Sequence, residues 1–400
     1  MVKKRPIMYR KYMALLTLGP LLATGFFAIC RPSFWFHLLP MASDVQFLDL
    51  SLLTFNVDCF EGADTDLSQI NCDPGGRDFN YPSVLFALFH LLHLGSSTTV
   101  AVGTALFLLL VLSLAVLILV LVKSNFEALE AFMWAGAFVS PPILLLVERG
   151  NIDSLIFLLL VFALVFARYR FIVLLTSLFG FSIKIYLLGL SVFGLKKKDL
   201  GFILGSLTLS ATWFIWNRHD FLRVFKNSDY FEWDSFGLRA FPIQLLDYLG
   251  IHPGGKILFL VSNLIGALLF LAMFLGLVLY TRRSRHFSFF DKSTELSYYR
   301  FCLAGGVWSV VFLIGLNFDM RMIFIIPVFL QLENELRKRL LPALLFVLFS
   351  AFGPYWLQSI SDLFLHLFTA LVVHQLVFIA LTNFSLIRLI DFFIPKRREI

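Results

Sequence analysis

Long apolar runs separated by short charged segments fill the chain. The first extends from about Tyr12 to Cys30. Further runs follow at 100–122, 131–147, 154–167, 200–216, 257–280, 302–316, 322–332, 340–357 and 363–381. About 20 apolar residues are enough to cross ~30 Å of hydrocarbon as a helix. The pattern therefore predicts an all-α polytopic membrane protein, with 1–400 forming one transmembrane domain of about eleven to thirteen transmembrane or re-entrant helices.

The polar segments fall into two classes. One is basic: KKRPIMYRK at the start, Lys123, RYR at 168–170, KKK at 196–198, TRRSR at 281–285, RKR at 337–339 and KRR at 396–398. The positive-inside rule assigns these, and with them both termini, to the cytoplasmic side. The other class comprises 32–97, ERGNID, 218–256, NFDMR at 317–321 and QSISD near 360. Counting spans from a cytoplasmic N-terminus puts this class outside, provided that 171–195 enters the membrane and returns. About 25 residues are too few for two ordinary spans. A pair of short or re-entrant helices is predicted there, with Lys184 and Tyr186 at the tip, lining a cavity because irregular backbone at that depth needs protein or water against it.

Composition agrees with the pattern. Hydrophobic residues make up 59% of the chain, charged ones 15%, and 48 positions are Phe; mean hydropathy is +0.85. Such a chain lies outside the range of soluble domains. The formal charge of +7 could suggest a nucleic-acid partner, but the Lys and Arg residues sit between apolar runs and report topology instead. The first span is read as uncleaved, because Cys30, Arg31 and Pro32 supply no small-residue cleavage site.

The segment 32–97 predicts interfacial helices. Apolar residues alternate with Asp44, Gln46, Asp49 and Ser51, which suits a helix with its apolar face in lipid and its acids toward the protein, and PSVLFALFHLLHLG supplies a second one. Cys59 and Cys72 share this loop. An oxidising exterior favours a disulfide between them, and two free thiols are the alternative.

Charges at membrane depth are costly and mark function or mutual pairing. Asp44, Glu148, Arg149, Asn151, Asp153, Lys184, Tyr186, Asp319 and Arg321 all fall at the ends of apolar runs assigned to one side. In the plainer reading Asn151 or Asp153 caps a helix while Glu148 and Arg149 are solvated. In the sharper reading these ends converge on a polar site. Lys184 and Arg321 would then neutralise a phosphate, and Asp44 would act as general base on an acceptor hydroxyl. That combination suits glycosyl transfer from a lipid-phosphate sugar. No HExxH, P-loop, GxSxG or paired CxxC signature is present, and the reaction calls for neither cofactor nor metal. His90 and His93 have a metal-binding spacing, but an interfacial amphipathic helix accounts for them more simply. The 218–256 segment, with Tyr230, Phe231, Trp233 and Phe236, is either a lid over the site or a segment lying on the membrane. A transporter or flippase of a lipid-linked saccharide is the rival from another class, although such proteins place their sites near the midplane between symmetric halves.

The order of NCDPGGRDFNYP, ERGNID, SIKIY and NFDMRMIFIIP resembles that in bacterial membrane glycosyltransferases of the C-type (GT-C) superfamily, in particular the family 87 type related to polyprenyl-phosphate-mannose-dependent mannosyltransferases. The resemblance implies a GT-C-like bundle in the bacterial inner membrane with an extracytoplasmic active site. It also implies a polyprenyl-phosphate-linked donor of mannose type, a glycan or glycolipid acceptor, and inversion at the sugar carbon. By position it implies Asp44 as base with Asp49 as second choice, Lys184 and Arg321 at the donor phosphate, and Asn80, Tyr81 and Asn151 at the sugar or acceptor pocket. Their place at the membrane lip, not the resemblance, adds Tyr186 and Asp319 beside the phosphate and Glu148, Arg149 and Asp153 beside the pocket. Two positions depart from the resembled pattern: Leu187 and Ser83 stand where relatives commonly carry Pro.

Overall fold

The computed structural model describes residues 7–39, 42–60, 72–121, 127–193, 200–226, 235–236, 295–313, 317–332 and 334–350, with scattered positions of 260–272. These are helical throughout, apart from turns and one two-residue antiparallel pair in which Ser235 faces Phe318 and Phe236 faces Asn317. The expected runs at 257–280 and 363–381 lie wholly or largely outside the described residues, as do Tyr230, Phe231 and Trp233.

Two described helices, Tyr12–Cys30 and Ser96–Leu121, are long and apolar enough to cross a membrane, and a third is added if a bent pair counts as one span. That pair corrects the single span expected at 131–147. Ala128–Phe138 and Pro141–Arg149 meet at a 44° bend. The apolar run is unbroken there, but Pro141 and Pro142 cannot donate to the preceding turn, and Ser140 closes that turn by donating from Oγ to the Ala137 carbonyl at 2.6 Å. The proline pair then opens the next helix, where its fixed φ is already suitable. Asp153–Val165 and Arg170–Ile183 have 13 and 14 residues, or ~20 Å at 1.5 Å per residue, short of a full span.

The break expected within 171–195 falls at Lys184. Its φ and ψ of −148° and 134° interrupt Arg170–Ile183 before a 3-10 turn, Ile185–Leu187, and the short helix Leu188–Phe193. The chain folds back against itself: Ser177 Oγ donates to the Leu187 carbonyl at 2.8 Å and bonds Ser191 Oγ. A Cβ on Gly180 would lie 2.0 Å from Leu187 Cδ1. The returning helix packs on Glu295–Leu313 at Gly189, where a Cβ would meet the Gly306 carbonyl at 2.5 Å. Backbones approach this closely only where residues are small.

One expectation for 32–97 is overturned. Asp44 lies in a turn, not a helix, and Leu48–Asp58 is buried on several sides, including Leu50, Ser51, Leu52, Leu53, Thr54 and Asn56. Its polar positions find protein partners, the direction expected for its acids, but its leucines are buried too and do not form a lipid-facing side. Ser51 donates to the Leu48 carbonyl at 2.7 Å, Thr54 and Thr99 hydroxyls pair at 2.6 Å, and Asn56 donates to the Leu52 carbonyl at 2.6 Å. Ser83–Leu91 does have the expected two-sided character, with Leu85, Phe86 and Phe89 buried and Leu88 and Leu91 exposed.

Candidate functional site

Four chain segments deliver the polar site, and local backbone chemistry sets each one. The Pro141–Arg149 helix stops at Gly150, whose φ of 57° is left-handed, and Asp153–Val165 begins three residues later. In the connection Asn151 Oδ1 accepts from the Asp153 N–H at 2.9 Å, an Asx turn that leads into a helix whose N-cap is Ile152, not Asn151 or Asp153 as foreseen. Phe47, also left-handed at φ 57°, is fully buried. A Cβ on Gly103 or Gly150 would lie within 2.5 or 2.9 Å of the Phe47 side chain. This ring, seated in the space left by two glycines, holds the 42–49 segment against the ERGNID turn. A bulky residue in that region costs on the order of 1–3 kcal/mol, which persists only where packing over-determines it.

At the centre lies Asp153, with a side chain 0% exposed. Its Oδ1 stands 2.9 Å from Lys184 Nζ, and its Oδ2 accepts from Arg321 Nε at 3.2 Å. Two cations thus meet on one buried carboxylate. Aromatic faces border it: Lys184 Nζ lies 5.9 Å from the ring centroids of both Tyr81 and Tyr186, and the Arg321 guanidinium 5.4 Å from Tyr186. These distances lie within the range of cation–π attraction. Arg321 arrives on the 3-10 helix Asp319–Ile325; the side chain of Asp319 itself lies outside the described residues.

Asn151 joins this group to a second one. Its Nδ2 donates to Asp49 Oδ2 at 2.6 Å, while Asp49 Oδ1 accepts from Arg77 Nη1 at 3.0 Å. Arg77 also holds Asp73, Nε to Oδ2 at 2.9 Å and Nη2 to Oδ1 at 3.0 Å, and it donates to the Leu48 carbonyl. Burial opposes the Arg77 charge, but the hydrogen bond to Asp73 and the negative Asp49 and Asp73 hold its pKa above the ordinary value. The Cys59–Cys72 disulfide ties the end of the Leu48–Asp58 helix to the start of this loop. Tyr81 donates to the Asp49 carbonyl at 3.3 Å. Burial first, and the Asp49 charge second, raise its phenol well above its ordinary pKa and keep it a neutral donor.

The expected residues thus separate into three groups. Asp49, Tyr81, Asn151, Asp153, Lys184, Tyr186 and Arg321 come together. Glu148, 1% exposed, pairs with Arg149 at 3.1 Å and accepts from the Ser43 N–H at 3.0 Å, which fixes the residue before Asp44. Asp44 itself is exposed and makes no hydrogen bond or ion pair among the described residues. Asn80 is half-buried with no side-chain hydrogen bond among them. His90 lies against the rings of Phe60 and Phe86.

Sequence reasoning passed over Arg77, Asp73, Asp220 and Arg223. Asp73 and Arg77 are four apart, and Asp220 and Arg223 three apart, so spacing was the available signal. At the other end of the helices Arg337 Nε pairs with Glu130 at 2.7 Å, and Lys338 with Glu127. No family model, no curated protein and no solved structure matches the chain.

Proposed function

We propose that the chain is an inverting membrane glycosyltransferase of GT-C character. In this reading it is a polytopic protein of the bacterial inner membrane that moves a hexose or pentose, mannose foremost, from a polyprenyl-phosphate donor to an extracytoplasmic glycan or glycolipid. The observation that carries the reading is the Asp153 group: Lys184 and Arg321 on one buried carboxylate, walled by Tyr81 and Tyr186. The paired cations suit a phosphate, with Arg as a directional donor and Lys as a point charge. The aromatic walls suit the sugar and exclude water from the reacting bond.

The chemistry balances without a cofactor. A carboxylate takes the acceptor O–H proton, and the freed oxygen pair forms a bond to sugar C1. The C1–O bond to phosphate breaks with its electron pair going to the phosphate oxygen, which faces Lys184 and Arg321, and the carbon inverts. Asp44 is assigned as base. Its carboxylate is exposed and uncommitted, whereas both oxygens of Asp49 are engaged, by Arg77 and Asn151. Asp49 is assigned to hold Asn151, and through it the ERGNID turn.

The test is transfer of labelled sugar by protein in nanodiscs, with a panel of polyprenyl-phosphate sugars and host lipid extract. Asp44→Asn is expected to lose about 10²- to 10⁴-fold in kcat while binding donor normally. Full activity in Asp44→Asn with loss in Asp49→Asn would move the base to Asp49.

A further inference from the structure

We propose that Asp220 and Arg223 are positioning residues for this site, acting through the Tyr81 turn; the inference rests on the glycosyltransferase reading. Both lie on Arg218–Lys226, the helix that opens the 218–256 segment. Asp220 Oδ2 accepts from the Ser83 N–H at 2.8 Å and from the Ser83 hydroxyl at 3.0 Å. Arg223 donates from Nη1 to the Phe79 carbonyl at 2.9 Å and from Nη2 to the Tyr81 carbonyl at 2.8 Å, pairs with Asp220, and lies 5.0 Å from the Phe79 ring centroid. One side-chain pair thus holds both sides of the FNYPS turn. A proline at position 83 would lack the N–H that Asp220 receives.

What this grip controls is Tyr81. Its ring borders Lys184, and its hydroxyl reaches the Asp49 carbonyl. A shift of that turn would move the wall of the phosphate site and the backbone of the Leu48–Asp58 helix together. Further along the chain Ser235–Phe236 pairs with Asn317–Phe318, immediately before the 3-10 helix that carries Arg321. The Arg218–Lys226 helix thus braces the Tyr81 turn, while none of its described contacts is to Asp153.

This refines the choice between a lid and a segment resting on the membrane. A lid must leave, whereas a brace works only while docked. The decisive variant is Ser83→Cys with Asp220→Cys, which replaces the hydrogen bonds by a bond that can be made or broken. Measured against wild type under the same reductant, which opens Cys59–Cys72 in both, the reduced double variant is expected to lose roughly tenfold or more in kcat at saturating donor, as is Arg223→Gln without reductant, because small misplacements of positioning groups are costly. Oxidation of the double variant is expected to restore it, which general loss of structure would not allow. Activity lost on oxidation and present on reduction would make the helix a lid and overturn the proposal. Hydrogen exchange without substrate gives a second readout. Asp220→Ala and Arg223→Gln are expected to expose amides in 79–86 and to raise the reactivity of Lys184 toward an acylating ester. Unchanged exchange and unchanged Lys184 reactivity would refute the positioning role even if no donor were turned over. Transfer absent from the wild type, with exchange altered as expected, would instead count against the glycosyltransferase reading alone.

Discussion

Asp153→Asn removes the charge on which two cations converge, and its cost follows from the geometry. The carboxylate is 0% exposed and sits 2.9 Å from Lys184 Nζ and 3.2 Å from Arg321 Nε. Removing one member of a buried ion group leaves the other charges uncompensated, which typically costs ~3–5 kcal/mol. Lys184 and Arg321 are 14% and 17% exposed, so water reaches part of their charge and the lower end applies, about 3 kcal/mol. At roughly 2 °C per kcal/mol for a large chain, the apparent midpoint should fall by about 6 °C. The assay is the fraction of monodisperse protein left after heating in detergent, with donor absent. Adding Lys184→Gln removes one of the stranded cations, so the double variant should be more stable than the summed single effects by about 1–3 kcal/mol. A midpoint within about 1 °C of wild type for Asp153→Asn, together with strict additivity, would refute the ion group as described.

Further outcomes follow from the same contacts. Gly150→Ala forces a Cβ into φ 57° and to within 2.9 Å of Phe47, so it should destabilise by about 1–3 kcal/mol, and Gly103→Ala, crowding the same ring, should do likewise in the heating assay. Replacing Cys59 and Cys72 by Ser frees a loop closed over a sequence separation of 13, which should cost about 3 kcal/mol. It should also loosen Arg77 on Asp49, read as faster hydrogen exchange across 72–82. Arg337→Gln strands Glu130, which is 4% exposed, and should cost ~3 kcal/mol while leaving donor affinity unchanged, because that pair lies away from the Asp153 group.

Part of this site was legible in the sequence, and physics explains the boundary. Glu148, Asn151, Asp153, Lys184 and Arg321 stood out because charge at the end of an apolar run is costly unless paired, and the pairing is what the fold supplies. The interruption at Lys184 followed from span length. Leu48–Asp58 was expected to lay its leucines in lipid with its acids toward the protein, whereas the fold buries the leucines too and gives Asp49, Ser51, Thr54 and Asn56 internal partners. Their partners, Arg77, the Leu48 and Leu52 carbonyls and Thr99, come from backbone or from distant segments that a periodicity cannot show. The 131–147 run concealed its bend in continuous apolarity, although Pro141 and Pro142 were visible and were outweighed by length. Phe47 had no signal: a left-handed phenylalanine exists only because Gly103 and Gly150 vacate the space it fills. Arg223 offered only its spacing from Asp220; its other described partners are main-chain carbonyls whose identity the sequence does not encode.

The most direct test of the central claim places a labelled polyprenyl-phosphate sugar in one leaflet of liposomes carrying the wild-type chain, with acceptor lipid present, and analyses both product and sidedness. The account predicts label in a new glycosidic bond of inverted configuration, lost in Asp44→Asn. Intact donor recovered in the opposite leaflet, with no glycosidic product, would contradict it and make the chain a transporter of lipid-linked saccharide.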